Sequence, residues 1–196
     1  MKKINFNIRG KFRTILADPP WEFVNRTGKI SPENKRYKRY KTMKLEEIKL
    51  LPVYRISSKR SHLYLWVPNA LLKEGLEVME AWGFKYKTNI IWHKIRKDGE
   101  SDNGGVGFYF RNSTEVLLFG IKGSNVRTKK LGRTQINFVK SRKREHSRKP
   151  NEFYDIIENC SWGPYLELFA RGPKKNWTVW GNQSKKYEIN WRKRSA

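Results

Sequence analysis

The sequence predicts an α/β fold, a sheet with helices on both faces, and three observations predict it. Apolar runs of strand length recur along the chain. Stretches with helical apolar spacing alternate with them, which is the signal of β-α-β units. Several of the runs stop abruptly in acidic, amide or proline residues, as strands do where they leave a sheet at its carboxyl edge, the edge where open α/β sheets bind ligands. At 196 residues the chain is expected to form one domain, 1–196, with basic loops at about 22–41 and 122–149 and a basic tail at 185–196.

Ile4, Phe6 and Ile8 alternate ahead of Arg9-Gly10-Lys11 and predict a short edge strand and turn. Thr14-Ile15-Leu16-Ala17 follows as a buried strand, stopped by Pro19 and Pro20, which cannot donate to a ladder. The stretch around Tyr37 and Tyr40 is rich in Lys and Arg and has no core pattern, so a basic loop is expected there. Thr42 is placed to cap a short helix to Leu51, with Leu45 and Ile48 inward and Pro52 as its stop. The run from His62 to Val67 has the apolar character of a strand inside a parallel sheet. A helix from Asn69 to about Trp82 is expected to bury Leu72, Leu76 and Met79 and to stop at Gly83.

Two strands, from Thr88 to Lys94 and from Glu115 to Ile121, flank a loop holding Gly99, Gly104, Gly105 and Gly107. That loop lacks the Gly-Lys-Ser/Thr ending and following helix of a phosphate cradle, and reads as a hairpin connection. From Arg127 to Lys149 the chain is dense in Lys and Arg, with Glu145 its one acid, and a mobile arm contacting phosphates is expected. Pro150 opens a helix carrying Phe153, Ile156 and Ile157. The last two strands, from Leu166 to Ala170 and from Trp177 to Trp180, end in Arg171 and in Asn182-Gln183, groups able to bind ribose hydroxyls.

Lys and Arg number 43 against 18 Asp and Glu, a net charge of +25. Such a field attracts polyanions and points to nucleic acid as partner, while 8 Trp supply stacking faces as well as core. One cysteine, Cys160, excludes an internal disulfide and a multi-cysteine zinc site, and His62, His93 and His146 lack ligand spacing, so no metal is expected. No apolar stretch approaches about 18 residues and Met1 to Phe12 has no long apolar region. No membrane partner is read, and the expected location is the cytoplasm, at the nucleoid.

Asp18-Pro19-Pro20-Trp21 carries the chemistry. Asp18 can accept a hydrogen bond from an amine, and the Pro19 carbonyl, held by two fixed φ angles, can accept a second from the same NH2 group. Trp21 offers a flat face for a base. A conjugated amine is a poor nucleophile, so a clamp of this kind calls for a strongly electrophilic donor such as a sulfonium methyl. A rigid Pro-Pro turn with a surface tryptophan would present the same four residues without the chemistry.

Asp18-Pro19-Pro20-Trp21 after an apolar strand resembles the amino-methyltransferase signature. Further segments, in order, resemble the mRNA-adenosine methyltransferase-like (MT-A) family: Arg39-Tyr40-Lys41-Thr42-Met43, Leu63-Tyr64-Leu65-Trp66-Val67, Ile90-Ile91-Trp92-His93-Lys94, His146-Ser147-Arg148-Lys149-Pro150, Leu166-Glu167-Leu168-Phe169-Ala170-Arg171 and Trp180-Gly181-Asn182-Gln183. The resemblance runs from Thr14 to Gln183. It implies a Rossmann-like methyltransferase sheet in permuted order, catalytic strand first and donor-binding strands last. It also implies S-adenosyl-L-methionine as cofactor and the exocyclic N(6) amine of adenine in DNA as acceptor. The same reaction on RNA, or a catalytically inactive nucleic-acid-binding subunit of a methyltransferase complex, are the alternatives.

By the same resemblance Asp18, Pro19, Pro20 and Trp21 are catalytic. Asp18, Lys149, Phe169, Arg171, Asn182 and Gln183 hold the donor, with Lys149 on its carboxylate, and Tyr40, Lys94, Tyr109, Arg111, Asn112 and Glu115 lie on the substrate side. Lys174 and Lys175 stand where the family often has Asn or His. The implied assembly is a homodimer or a heteromeric methyltransferase partner.

Overall fold

The computed structural model describes residues 6–22, 42–102, 109–142 and 148–184. The basic loop with Tyr37 and Tyr40, and the tail from 185, lie outside the described residues. Seven strands form one sheet: β1 (Phe12–Ala17), β2 (Ser57–Val67), β3 (Lys85–Ile95), β4 (Thr114–Lys122), β5 (Phe138–Arg142), β6 (Tyr165–Leu168) and β7 (Trp177–Trp180). Their order is β5-β3-β4-β2-β1-β6-β7. β1 lies between β2 and β6 and is parallel to both, and β7 extends this run parallel to β6.

Side chains alternate across each strand, so the apolar runs feed two cores. Ile15, Ala17, Leu63, Leu65 and Val67 face one side, where α1 (Leu45–Lys49), α2 (Val53–Ile56) and α3 (Leu72–Ala81) contribute Ile48, Val53 and Met79. Leu16, Tyr64, Trp66 and Leu117 face the other, covered by Phe153, Tyr154 and Ile157 of α4 (Glu152–Cys160). This is the α/β sheet with helices on both faces that the sequence predicts, with the first strand of the chain beside the last two.

Several expectations are corrected. The sheet is mixed: β4 runs antiparallel to both β2 and β3, because β3 and β4 form a hairpin whose returning strand inserts beside β2. α1 starts at Leu45 with the Glu47 carboxylate accepting the Lys44 N–H at 3.0 Å, so Glu47 rather than Thr42 closes the helix start. No strand forms over residues 6–10, although Phe6 and Ile8 still pack against the core.

α3, preceded by a 3-10 turn at Asn69–Leu71, buries Gly75, Val78 and Met79, while Leu72 and Leu76 are 45% and 38% exposed. A Cβ at Gly75 would stand 2.5 Å from a Val67 methyl. The helix rolls its glycine against β2, and the two leucines turn outward. The arm expected from Arg127 to Lys149 is structured over its described part. It contains a 3-10 turn at Leu131–Arg133 and β5, which pairs in parallel with β3. An edge strand needs only one bonded neighbour and few apolar residues, so Val139 and Ser141 suffice to seat it.

Candidate active site

The carboxyl ends of β1, β6 and β7 meet at one edge, with the residues leading into α4 beside them. β4, being antiparallel, begins at that same edge: Val116 pairs with Val67, so Glu115 stands one residue beyond the end of β2. Trp92 pairs with Glu115, which brings Lys94 to the same place. The topology thereby gathers four charges that lie far apart in the chain.

Lys149 Nζ contacts Asp18 Oδ2 at 2.9 Å and Oδ1 at 3.0 Å, and Glu115 Oε2 at 3.2 Å. Lys94 Nζ contacts Glu115 Oε1 at 2.6 Å. The chain of contacts Lys94, Glu115, Lys149, Asp18 alternates in sign. The two ammoniums also lie over indoles, Lys149 over Trp66 and Lys94 over Trp92, each at 5.2 Å from the ring centroid.

The two carboxylates are not equivalent. Both suffer burial, which favours the neutral acid. Glu115 sits between two lysines, and their charges outweigh its burial and hold its pKa at about 2. Among the described residues the Asp18 carboxylate contacts Lys149 alone, with Arg171 a more distant positive charge. Burial raises its pKa, with Lys149 pulling it down and Glu115 pushing it further up. The pair of carboxylates, in turn, raises Lys149 despite its own burial. Glu115 is thus held as an anion, while the Asp18 carboxyl is pushed toward its neutral form.

The turn after Asp18 is rigid. Trp21 N–H donates to the Pro19 carbonyl at 2.9 Å, and Met43 N–H to the Pro20 carbonyl at 2.9 Å. One lone pair on the Pro19 oxygen stays available to a second donor. Trp21 itself overturns one expectation. Its indole is 7% exposed, packs in the core and donates its N–H to the Trp66 carbonyl at 3.0 Å. A base cannot lie on a buried ring, and Trp21 instead pins the turn that aims Asp18.

A narrow cleft with room for about 30 Å³ opens beside Asp18, lined by Trp66, Lys149, Phe153, Glu167, Phe169 and Arg171 among others. Phe169 holds a left-handed φ of 62° where β6 ends, the kind of strained backbone that collects at functional sites. Arg171 Nε donates to Gln183 Oε1 at 3.3 Å, so the guanidinium after β6 and the amide after β7 stand side by side. A cation beside an acid, an aromatic wall and a guanidinium-amide pair suit a ligand with a carboxylate, a planar base and ribose hydroxyls.

Of the residues the sequence singles out, Asp18, Pro19, Lys149, Phe169 and Arg171 line or adjoin this cleft, with Gln183 reached through Arg171, and Lys94 and Glu115 join through the ionic chain. Asn182 is exposed after β7. Asn112 accepts from Asn69 Nδ2 at 3.1 Å and so ties β4 to the start of the 3-10 turn. Tyr109 is 93% exposed and Arg111 is exposed, and neither touches the ionic chain among the described residues. Tyr40 lies outside the described residues. Sequence reasoning missed Trp66 and Glu167 as wall residues. Glu167, 8% exposed, accepts from Tyr154 Oη at 2.7 Å, and its signal was a lone acid inside an otherwise apolar strand.

Fold and site together define a Rossmann-like methyltransferase. Residues 12–183 match MT-A70, and the chain belongs to the MT-A70 family, whose enzymes are S-adenosylmethionine-dependent N(6)-adenosine methyltransferases. It is 33% identical over 93% of its length to a putative N(6)-adenosine-methyltransferase MT-A70-like protein of Medicago truncatula, of which it covers 28%. It is 28% identical over 93% of its length to the human N(6)-adenosine-methyltransferase catalytic subunit METTL3, covering 30% of that protein. With the type II methyltransferase M.MunI of a Mycoplasma species it shares 29% identity over 88% of its length and 78% of that protein. The chain therefore spans less than a third of the length of the adenosine-methyltransferase relatives. Among the described residues no helix is long and apolar enough to cross a membrane, and no cluster of His, Cys, Asp and Glu could hold a metal ion.

Proposed function

We propose that this chain methylates the exocyclic N(6) amine of adenine in DNA, with Asp18 and the Pro19 carbonyl as the two acceptors of the amine. The observation that carries the reading is the pairing of Asp18 with Lys149 at the sheet edge where Phe169 and the Arg171-Gln183 pair also stand. S-adenosylmethionine supplies an electrophilic methyl group on sulfur when bound. Lys149 binds its carboxylate, Arg171, Asn182 and Gln183 its ribose, and Phe169 lines its base. Engaging Lys149 in this way draws it from Asp18, leaving the Asp18 carboxylate free to accept from the amine. Asp18 and the Pro19 oxygen would stabilise the positive charge developing on nitrogen as the methyl group passes to it from sulfur, leaving the neutral thioether. The proton the nitrogen then sheds would leave along its hydrogen bond to Asp18 toward solvent. Glu115, held anionic by Lys94, keeps Lys149 at the edge throughout.

The relatives include a type II methyltransferase as well as N(6)-adenosine methyltransferases, and of the two polymers DNA is the acceptor proposed. The location proposed with this reading is the cytoplasm, at the nucleoid. The test is incubation of the purified chain, wild type and Asp18→Ala, with methyl-labelled donor and matched adenine-containing DNA and RNA oligonucleotides. Labelled N(6)-methyladenine in DNA, absent with D18A although donor still binds, is the expected result. Label in RNA alone transfers the reading to RNA, and donor binding without label in either polymer makes the chain an inactive subunit.

A further inference from the structure

The opposite edge of the sheet carries a second concavity. It is an open hollow of about 410 Å³, and its walls come from β1, β2, the turn after β4, the 3-10 turn and the residue following Ser161. Six cationic side chains line it, Arg13, Arg60, Arg127, Lys129, Lys130 and Arg133, and no carboxylate does. Five cations outside it, Lys49, Lys94, Arg96, Lys149 and Lys174, are ion-paired. None of these six forms an ion pair among the described residues. Two are held by carbonyls instead, which orient a charge without neutralising it: Arg60 Nη2 donates to Asn125 O and Lys129 Nζ to Glu158 O, each at 2.8 Å.

The wall is built, not loose. At Gly123, with φ 93°, a Cβ would stand 2.5 Å from the Lys59 carbonyl, so the turn out of β4 closes tightly on β2. Gly132 is packed on Cys160, where a Cβ would come within 2.8 Å of its backbone, and Lys129 N–H donates to the Cys160 carbonyl at 2.8 Å. On the rim Trp162 is 37% exposed, with the Arg13 guanidinium over its ring at 5.1 Å. Unneutralised cations around a groove with an open indole at its rim are the two parts of a single-strand nucleic-acid site: charges that track the phosphates and a face on which a base stacks.

We propose that this groove binds a single-stranded segment of nucleic acid, separate from the base held at Asp18. Arg13 and Asp18 stand at opposite ends of β1, about 16 Å apart at the rise of a strand. The groove therefore grips polymer flanking the target, not the target itself. The proposal rests on the reading that the enzyme works on nucleic acid, and a probe without adenine keeps its outcome separate from whether adenine is methylated.

The test uses a fluorescent 20-residue oligothymidylate titrated with the full chain across a salt series. Arg60→Ala/Arg127→Ala/Arg133→Ala removes three exposed groove cations. With about 0.7 counterions released per phosphate contact on a single strand, the log-log salt slope falls by about two and binding at 0.1 M salt weakens roughly 100-fold. Lys73→Ala/Lys85→Ala/Lys87→Ala removes equal charge from exposed positions outside both concavities and is expected to weaken binding less than 10-fold. Trp162→Ala costs roughly 5- to 150-fold, the range for one stacked base.

Equal losses in the two triple variants overturn the proposal, as does a groove variant with the wild-type slope. So does phosphatidylserine-vesicle binding that the groove variant loses while its oligomer binding persists, which would make the surface a membrane contact. The wild-type chain gives an independent readout that no folding defect can confound. Photo-cross-linking of an iodouracil-containing oligomer is expected to mark Trp162 or residues 125–133, and adducts confined to the Asp18 edge overturn the assignment.

Discussion

Lys149→Met removes the ammonium on which the site turns. In the wild type its two attractions, at 2.9 and 3.2 Å, are each worth roughly 5 kcal/mol at an effective dielectric constant of about 20. Desolvation of the ions offsets much of this, and truncating one partner of a buried ionic network costs about 3–5 kcal/mol. The Lys149, Asp18 and Glu115 side chains are 16%, 29% and 28% exposed, so the lower end, about 3 kcal/mol, is expected. What remains is two carboxylates whose oxygens, having shared one nitrogen, stand no more than about 6 Å apart. Their repulsion adds to the burial that already raises Asp18. Urea unfolding at pH 7.5 should therefore show the loss, and the gap from wild type should narrow as the pH falls, because protonating Asp18 removes one unpaired charge. Calorimetry should show donor affinity reduced at least tenfold, about 1.4 kcal/mol. A variant as stable as wild type at pH 7.5, or a gap that widens on acidification, refutes Lys149 as the counter-ion of Asp18.

Three further outcomes follow from particular contacts. Arg171→Met removes a charge-assisted donor beside Gln183 and should raise the donor Kd about tenfold or more with little change in Tm; unchanged affinity in calorimetry removes Arg171 from the site. His62 is buried, with its pKa lowered from 6.5 to about 4 by burial and by Arg13. The unfolded chain takes up a proton that the folded one refuses, so stability falls as the pH drops below 6.5 and the loss, roughly 3 kcal/mol, is complete below about 4. Urea midpoints between pH 7 and 4.5 measure it, and His62→Gln should flatten the dependence. Gly132→Val places atoms against Cys160, where even a Cβ would come within 2.9 Å of the Sγ, and should cost about 1–3 kcal/mol in the same assay.

What the linear chain determined is what depends on neighbours in sequence. Apolar runs of strand length marked β1, β2, β3, β4, β6 and β7, because side-chain alternation and burial are local demands. Two consecutive prolines stopped β1 and put Asp18 at its end, because proline has no N–H to give a ladder. The positive charge and the motifs from Asp18 to Gln183 carried the class of chemistry. Lys149 and Arg171 could be singled out by type and order, but not by what they touch.

Tertiary structure decided the rest. Glu115 reaches Lys149 and Lys94 only because β4 turns back antiparallel between β3 and β2, a choice of hydrogen-bonding partner that no local pattern encodes. β5 forms from a segment too basic to suggest a strand, because the open edge of β3 supplies the ladder its own residues do not specify. Trp21 is buried and α3 is rolled onto Gly75 because packing, not periodicity, selects which face is covered. The basic groove at the far edge is likewise a product of convergence: its cations come from β1, β2 and the segment after β4, and only folding brings their unneutralised charges round one hollow.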